Sequence, residues 1–200
     1  VNFNHSTNPN GNYVWVDKSG LTWDGVNITN AGSSAAIWAY TGANGIKVQN
    51  TRIENSYEAA IRLENIDGAT VSNCVLTNNA QINSNRSGAN GWPHALLGFN
   101  AKNVSIWGNT ISRNHGEGVG PFRGCSGWYI GGNTVYDNFA VNIYIDTEIG
   151  WVTVENNRVY YTGYAVGSNA NNRPAGIRVA NEVSDFNPSG DDGIVDEITI

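Results

Sequence analysis

The phrase IWGNTI at residues 106–111 returns as IGGNTV at 130–135 and as VENNRV at 154–159, so an apolar-x-x-Asn-x-apolar pattern recurs every 24 residues. Weaker copies of the phrase begin at Trp23, Val48 and Val71. Each phrase is followed by a second short run of alternating apolar residues, as at 119–121 and 143–145. Short strands joined by tight turns and repeated at a fixed interval are typical of a solenoid rather than of a hairpin sandwich.

The composition agrees with a fold built from strands and turns. Of the 200 residues 14% are charged and 24 are Gly, and the residues that favour helices are scarce. The sequence therefore predicts an all-β, right-handed parallel β-helix solenoid of about seven to eight coils, with three short parallel sheets. We expect residues 1–200 to form a single domain. Because the sequence begins without Met at Val1 and stops inside a repeat at Ile200, we also expect it to be a segment of a longer chain.

Columns of asparagine are predicted at the corners between strands. Asn tolerates the positive φ that a sharp corner requires, and its amide can bond to the Asn of the coil above and below. The repeat places Asn109, Asn133 and Asn157 in one such ladder. A second ladder is predicted at the next corner, formed by Asn79, Asn114 and Asn138.

Two runs of sequence carry a resemblance to a known group of proteins. The runs NHGEGVG at 114–120 and YDNFAVNIYID at 136–146 resemble right-handed parallel β-helix repeat proteins of the pectate-lyase-like superfamily, of the type secreted by bacteria. The resemblance extends from Tyr13 to Ile200. It implies a secreted or cell-surface protein with a polysaccharide or glycan as partner. Since the superfamily includes lyases, hydrolases, epimerases, tailspikes and adhesins, the resemblance does not select one activity.

Two coils are longer than the others. The apolar run at 61–63 is followed by the run at 97–99 after 36 residues, and the run at 143–145 by that at 177–179 after 34. Insertions are therefore expected near 80–92 and 163–173, on one face of the solenoid, and a long turn at 181–193. Three coils between the two insertions leave a trough about 14 Å wide.

The trough is the predicted binding site for a carbohydrate, because aromatic faces pack on sugar rings and polar side chains bond to hydroxyl or carboxylate groups. Gly98 and Asn100 are expected to face outward on its floor, and Tyr164 is a further aromatic candidate. The predicted substrate-binding residues are Trp92, His94, Asn142, Tyr144 and Arg178. Some of these aromatic residues are equally explained as cover for the surface of a coil.

Three residues are candidates for catalysis. His115, Glu117 and Asp146 could transfer protons as general acid and base. Glu117, however, aligns with Ala59 and Ala95, among others, and this alignment favours an inward, structural side chain. The motifs of polygalacturonase-type hydrolases are not present in their order, so a lyase or epimerase is favoured over a glycoside hydrolase.

Charge and the remaining residue types exclude several partners. A net charge of -6 argues against nucleic acid, and no apolar run approaches the roughly 20 residues that a membrane-spanning helix needs. The histidines show no spacing for zinc. Calcium is the cation that the acidic residues Asp185, Asp191 and Asp192 would favour, although a solvated turn explains them as well. Cys74 and Cys125 are predicted free thiols, because two coils place them about 9.6 Å apart.

Two hypotheses of different classes follow. The first is an extracellular carbohydrate-active or carbohydrate-binding β-helix with its ligand in the trough. The second is a non-catalytic structural module of a surface fibre, tailspike, adhesin or filament. In the second hypothesis, open ends of the solenoid lead to end-to-end self-association.

Overall fold

The computed structural model describes residues 13–32, 34–84, 93–164, 174–180 and 196–200. These residues form twenty strands and one short 3-10 helix, η1(Gln81–Asn83). Sheet 1 contains β1(Val14–Val16), β4(Ala35–Ala39), β7(Ala59–Glu64), β10(His94–Phe99), β13(Glu117–Phe122), β16(Val141–Asp146) and β19(Ala175–Ala180). Sheet 2 contains β2(Thr22–Asp24), β5(Ile46–Gln49), β8(Asp67–Ser72), β11(Lys102–Trp107), β14(Ser126–Gly131), β17(Gly150–Glu155) and β20(Asp196–Thr199). Sheet 3 contains β3(Ile28–Thr29), β6(Arg52–Glu54), β9(Val75–Thr77), β12(Thr110–Ser112), β15(Thr134–Tyr136) and β18(Arg158–Tyr160).

The strands stack in parallel, every third strand pairing with the next in its sheet, as a parallel β-helix requires. Ile106 pairs with Ile130, which pairs with Val154, so the strongest copies of the repeated phrase lie directly over one another. The apolar residues of these strands fill the interior, where Ile106, Ile130 and Val135 are fully buried. The prediction of a solenoid with three parallel sheets is confirmed.

Both asparagine ladders are present. The side-chain amide of Asn109 donates to Oδ1 of Asn133 at 2.9 Å, and Asn133 donates to Oδ1 of Asn157 at 3.0 Å. At the next corner Asn79 donates to Asn114 at 3.0 Å, and Asn114 donates to Asn138 at 2.7 Å. Each inner rung is buried, so the amides satisfy backbone groups that water does not reach.

One predicted register is wrong by a residue. Ile61 pairs with Leu96, not with Leu97, so the first long coil adds 35 residues rather than 36. Because side chains alternate between the two sides of a strand, this shift moves Leu97 and Phe99 to the outer face and Gly98 to the interior. Gly98 therefore does not face outward as expected, whereas Asn100 is exposed in the turn after β10, where its amide donates to Asn65 at 2.9 Å. The second long coil, from Ile143 to Ile177, has the predicted register.

The two cysteines are buried free thiols, as predicted. Burial raises the pKa of Cys125 to about 12, so its thiol stays protonated. No helix among the described residues is long and apolar enough to cross a membrane.

Candidate functional site

The outer face of sheet 1 brings together most of the predicted binding residues. Two rows of side chains run across this face, from coil to coil. The first row contains Trp38, Arg62, Leu97, Gly120, Tyr144 and Arg178. The second row contains Glu64, Phe99, Phe122, Asp146 and Ala180. The two longer intervals of the sequence precede β10 and β19, and β13 and β16 lie between these strands in sheet 1.

A buried histidine and a buried glutamate meet at the start of two adjacent strands of this sheet. His94 on β10 is the direct register partner of Glu117 on β13. Nε2 of His94 lies 2.9 Å from Oε2 of Glu117, and each residue is only 5% exposed. The contact is close but is not aligned as a hydrogen bond. Imidazole and carboxylate are both groups that can accept and donate protons.

An aromatic stack connects this pair to the surface. The ring of Tyr144 lies 6.2 Å from the ring of His94, at an interplanar angle of 21°. The guanidinium of Arg178 lies 5.1 Å from the centroid of the Tyr144 ring. Tyr144 is 4% exposed whereas Arg178 is exposed, so the accessible end of the stack is a cation. In this arrangement Tyr144 does not offer an open face to a sugar ring.

The arrangement depends on glycine in the middle strand. A Cβ on Gly120 would lie 3.0 Å from Nε2 of His94 and 2.0 Å from the backbone oxygen of Tyr144. No side chain fits between these groups. Gly120 thus permits the close approach of β13 to β16 and of His94 to Tyr144.

The other predicted residues have separate partners. Nε2 of His115 lies 2.9 Å from Oδ1 of Asn78, and the hydroxyl of Thr147 donates to Asp146 at 2.8 Å. Asn142 accepts the amide of Asn138 at 2.9 Å, so it continues the second asparagine ladder. These contacts give Asn142 a structural role and place His115 in a different environment from Glu117.

A family model described as a right handed beta helix region matches residues 12–191, and the stacked parallel sheets agree with it. The chain belongs to the right-handed beta helix family. No curated protein and no solved structure matches this β-helix. The family establishes the architecture, and the chemistry of the site must be argued from the side chains of the β-helix itself.

The alignment expected for Glu117 is corrected by the register. Its neighbour in the preceding coil of the β-helix is His94 and not Ala95. Sequence reasoning named both residues as candidates but did not pair them, because the insertion before β10 hid the offset. With the offset corrected by one residue, the pairing could have been read from the sequence.

Some of the predicted residues lie outside the part of the β-helix that the structure describes. These are Trp92 and the acidic residues proposed for calcium, Asp185, Asp191 and Asp192. In the described ranges no three His, Cys, Asp or Glu side chains come together as a metal site. Tyr164 is 50% exposed, and the guanidinium of Arg113 lies 4.6 Å from its ring.

A second polar group lies on the same face of the β-helix. Nε of Arg62 lies 2.8 Å from Oε2 of Glu64, which also accepts a hydrogen bond from the Trp38 indole at 2.9 Å. The guanidinium of Arg62 lies 4.7 Å from the Trp38 ring. Burial raises the pKa of the neighbouring Glu58, and the charge of Arg62 partly offsets this effect. Trp38, Arg62 and Glu64 precede the first insertion, so the uncorrected repeat already places them on the outward rows.

Proposed function

We propose that this β-helix is an extracellular protein of the pectate-lyase-like type that binds an acidic polysaccharide on the outer face of sheet 1. The observation that carries the proposal is the stack of Arg178, Tyr144 and His94 above Glu117. An exposed guanidinium is the group best suited to bind the carboxylate of a uronate sugar, because it donates two parallel hydrogen bonds. The buried pair beneath it supports the stack from below.

The same groups favour a lyase or epimerase reaction. Both reactions begin with removal of the proton next to the carboxylate of a uronate, and a cation on that carboxylate makes the proton more acidic. Tyr144 and His94 are the proposed acid–base groups, since a phenol and an imidazole lie beneath the Arg178 guanidinium, and Glu117 lies 2.9 Å from the imidazole. Glycoside hydrolysis instead needs two carboxyl groups facing one bond. Here Glu117 lies against His94, and Asp146 accepts a hydrogen bond from Thr147.

Replacing Arg178 with Gln should weaken the binding of a hexameric oligouronate by about tenfold or more, since a hydrogen bond to a charged group contributes roughly 1.5–3 kcal/mol. Calorimetric titration with oligogalacturonate, oligoalginate and a neutral cello-oligosaccharide measures the effect. Arg158→Gln is the matched control, because the Arg158 guanidinium also lies over a tyrosine, 4.8 Å from the Tyr160 ring on sheet 3. Equal losses in the two variants, or no uronate binding by the unmodified protein, would contradict the proposal.

Catalysis is tested on the same samples. Glu117→Gln and His94→Gln should retain a folded β-helix and reduce formation of unsaturated product, or proton exchange at the sugar carbon, by at least a hundredfold. Turnover at an undiminished rate in both variants would exclude the pair from the chemistry. If the unmodified protein bound uronate but did not convert it, the protein would be a carbohydrate-binding protein and not an enzyme.

The edge of sheet 1 favours a second candidate function, that of a structural module. Ile177 and Val179 on β19 are 36% and 43% exposed, whereas Ile143 and Ile145 at the same positions of the preceding coil are fully buried. In the described residues β19 has no strand on its other side. An apolar edge of this kind can accept a further strand in register.

If copies of the chain stack through this edge, the protein should form end-to-end particles as its concentration rises. Val179→Lys should abolish them, because the added charge would be buried at the junction. Val26→Lys is the control, since Val26 is 40% exposed and lies outside sheet 1. Electron microscopy and sedimentation distinguish the cases, and discrete monomers of the unmodified protein at all concentrations would count against stacking.

A further inference from the structure

The outer face of sheet 2 carries three aromatic side chains on three consecutive coils. Trp107 lies on β11, Tyr129 on β14 and Trp151 on β17. Each alternates with buried core residues and therefore points outward. They are 22 residues apart, two fewer than the 24 residues that separate paired positions in these strands. The three side chains thus form a diagonal line, about 16 Å long by strand geometry.

The backbone at Trp151 is in an unfavourable conformation for such a residue. Its φ is 54°, in the left-handed region, where a bulky side chain is an outlier. The register places Trp151 in a column with Gly45, Gly68, Asn103 and Gly127, all of which have positive φ. In these four coils the positive φ is adopted by Gly or Asn, the residues that tolerate it best. Trp151 departs from that rule and is 66% exposed, so packing in the core does not explain it.

Tyr129 lies flat on the sheet. A Cβ on Gly131 would meet the Tyr129 ring at 2.3 Å and its hydroxyl oxygen at 2.2 Å, so the ring occupies the space above this glycine. The Tyr129 hydroxyl donates to Oε1 of Glu155 on the next strand at 3.1 Å, and this hydrogen bond raises the pKa of Tyr129. Gly131 and Glu155 together hold the ring parallel to the face, with one side towards solvent.

The charge of this surface narrows the choice of ligand. Lys102 and Glu155 are the charged residues exposed on β11, β14 and β17; Lys102 lies at the start of β11, and Glu155 accepts the hydrogen bond from Tyr129. With one cation and one carboxylate, these three strands carry no net charge on their exposed face and do not attract uronates or phosphates. Ser105 and Thr153, beside the aromatic rings, provide hydroxyl groups for hydrogen bonds. Flat aromatic rings with neutral polar neighbours match the apolar faces and hydroxyl groups of a neutral sugar chain.

We propose that Trp107, Tyr129 and Trp151 form a binding surface for a neutral oligosaccharide, separate from the site on sheet 1. Sugar rings stack on the three aromatic side chains along the diagonal. Trp151 provides the most exposed ring, and its unfavourable backbone conformation is retained because the ligand requires an aromatic side chain there. The two sites occupy different sheets and bind sugars of different charge, so each can fail without the other.

The decisive experiment replaces Trp151 with Gly. Because Gly is the residue of three other coils in this column, the variant should keep or raise the melting temperature while affinity for a neutral hexasaccharide falls about tenfold. Cellohexaose, xylohexaose and mannohexaose are the probes, titrated by calorimetry. Trp107→Ala should give a similar loss of affinity. Trp15→Ala, which removes a tryptophan that is 45% exposed on sheet 1, is the control and should bind normally.

Three results would overturn the proposal. One is that none of the three hexasaccharides binds to the unmodified protein. Another is that Trp151→Gly lowers the melting temperature by several degrees and binds normally, which would show a structural role for the ring. The third is that the unmodified protein forms dimers that Trp151→Gly dissolves, which would make this face a contact between copies. Arg178→Gln, tested with oligouronates, reports on the sheet 1 site alone.

Discussion

Replacing Asn133 with Ala is expected to lower the free energy of unfolding by about 4 kcal/mol, because it leaves several buried polar groups without partners. Oδ1 of Asn133 accepts the backbone N–H and the amide of Asn109, at 3.0 and 2.9 Å. Its own amide donates to the backbone oxygens of Ile106 and Gly131 and to Asn157. Water cannot replace these contacts, since Asn133 is 1% exposed. Urea-induced unfolding followed by circular dichroism measures the change.

The ladder offers an internal comparison and a matched control. Among the described residues Asn157 is the last rung of this ladder and is partly exposed, so Asn157→Ala should lower the free energy of unfolding by about half as much. Asn156 is exposed and has a φ of 55°, a conformation that Gly adopts readily, so Asn156→Gly should change stability by less than about 0.5 kcal/mol. If Asn133→Ala changed the free energy of unfolding as little as Asn156→Gly, the hydrogen bonds of the ladder would not contribute to stability.

The first ladder could be predicted from sequence because the spacing of its asparagines is constant. Asn109, Asn133 and Asn157 are separated by whole coils without insertions, so a common column follows from the repeat alone. The free thiols were predicted by counting coils, because Cys74 and Cys125 lie two coils apart. The fold was accessible for the same reason, since parallel pairing at a constant offset repeats one local interaction along the chain.

The candidate site was only partly accessible, because it follows the first insertion. The pairing of Ile61 with Leu96 decides which side of β10 faces outward. When the conformation of an insertion is unknown, the sequence does not determine the register of the next strand to within one residue. The pairing of His94 with Glu117 depended on that one residue. Trp151 is a different case, since its column of Gly and Asn has no insertion between β14 and β17 and was visible in the sequence.

Contacts across the interior were not accessible from the repeat at all. The repeat predicts which residues point inward, but it does not predict which residues of different sheets meet. Gly98 on β10 lies opposite Trp128 on β14, and a Cβ on Gly98 would lie 2.1 Å from the Trp128 ring. Trp128 is 1% exposed, and its indole donates to the backbone oxygen of Ala101 at 2.9 Å. A large residue from one sheet thus fills the space that a glycine leaves in another.

In neighbouring coils the same space is filled by residues of medium size in both sheets. At the positions paired with Gly98 and Trp128, other coils carry Leu63 and Val152. Gly98→Leu alone should destabilise the protein by about 3 kcal/mol through overpacking, and Trp128→Val alone by about 3 kcal/mol through a cavity. The double variant restores the combination of the other coils, so it should be about 3 kcal/mol more stable than the sum of the two effects predicts.

A double-mutant cycle in urea measures this coupling. Gly98→Leu combined with Trp107→Val is the control cycle, because Trp107 is 42% exposed on the outer face and does not share the space inside. The control should be additive to within about 0.5 kcal/mol. If the Gly98 and Trp128 changes were also additive, the two residues would not share one volume. A positive coupling would show two kinds of packing in the interior of this solenoid. Like residues stack on one another, and a large residue of one coil fills the space next to a small residue of another.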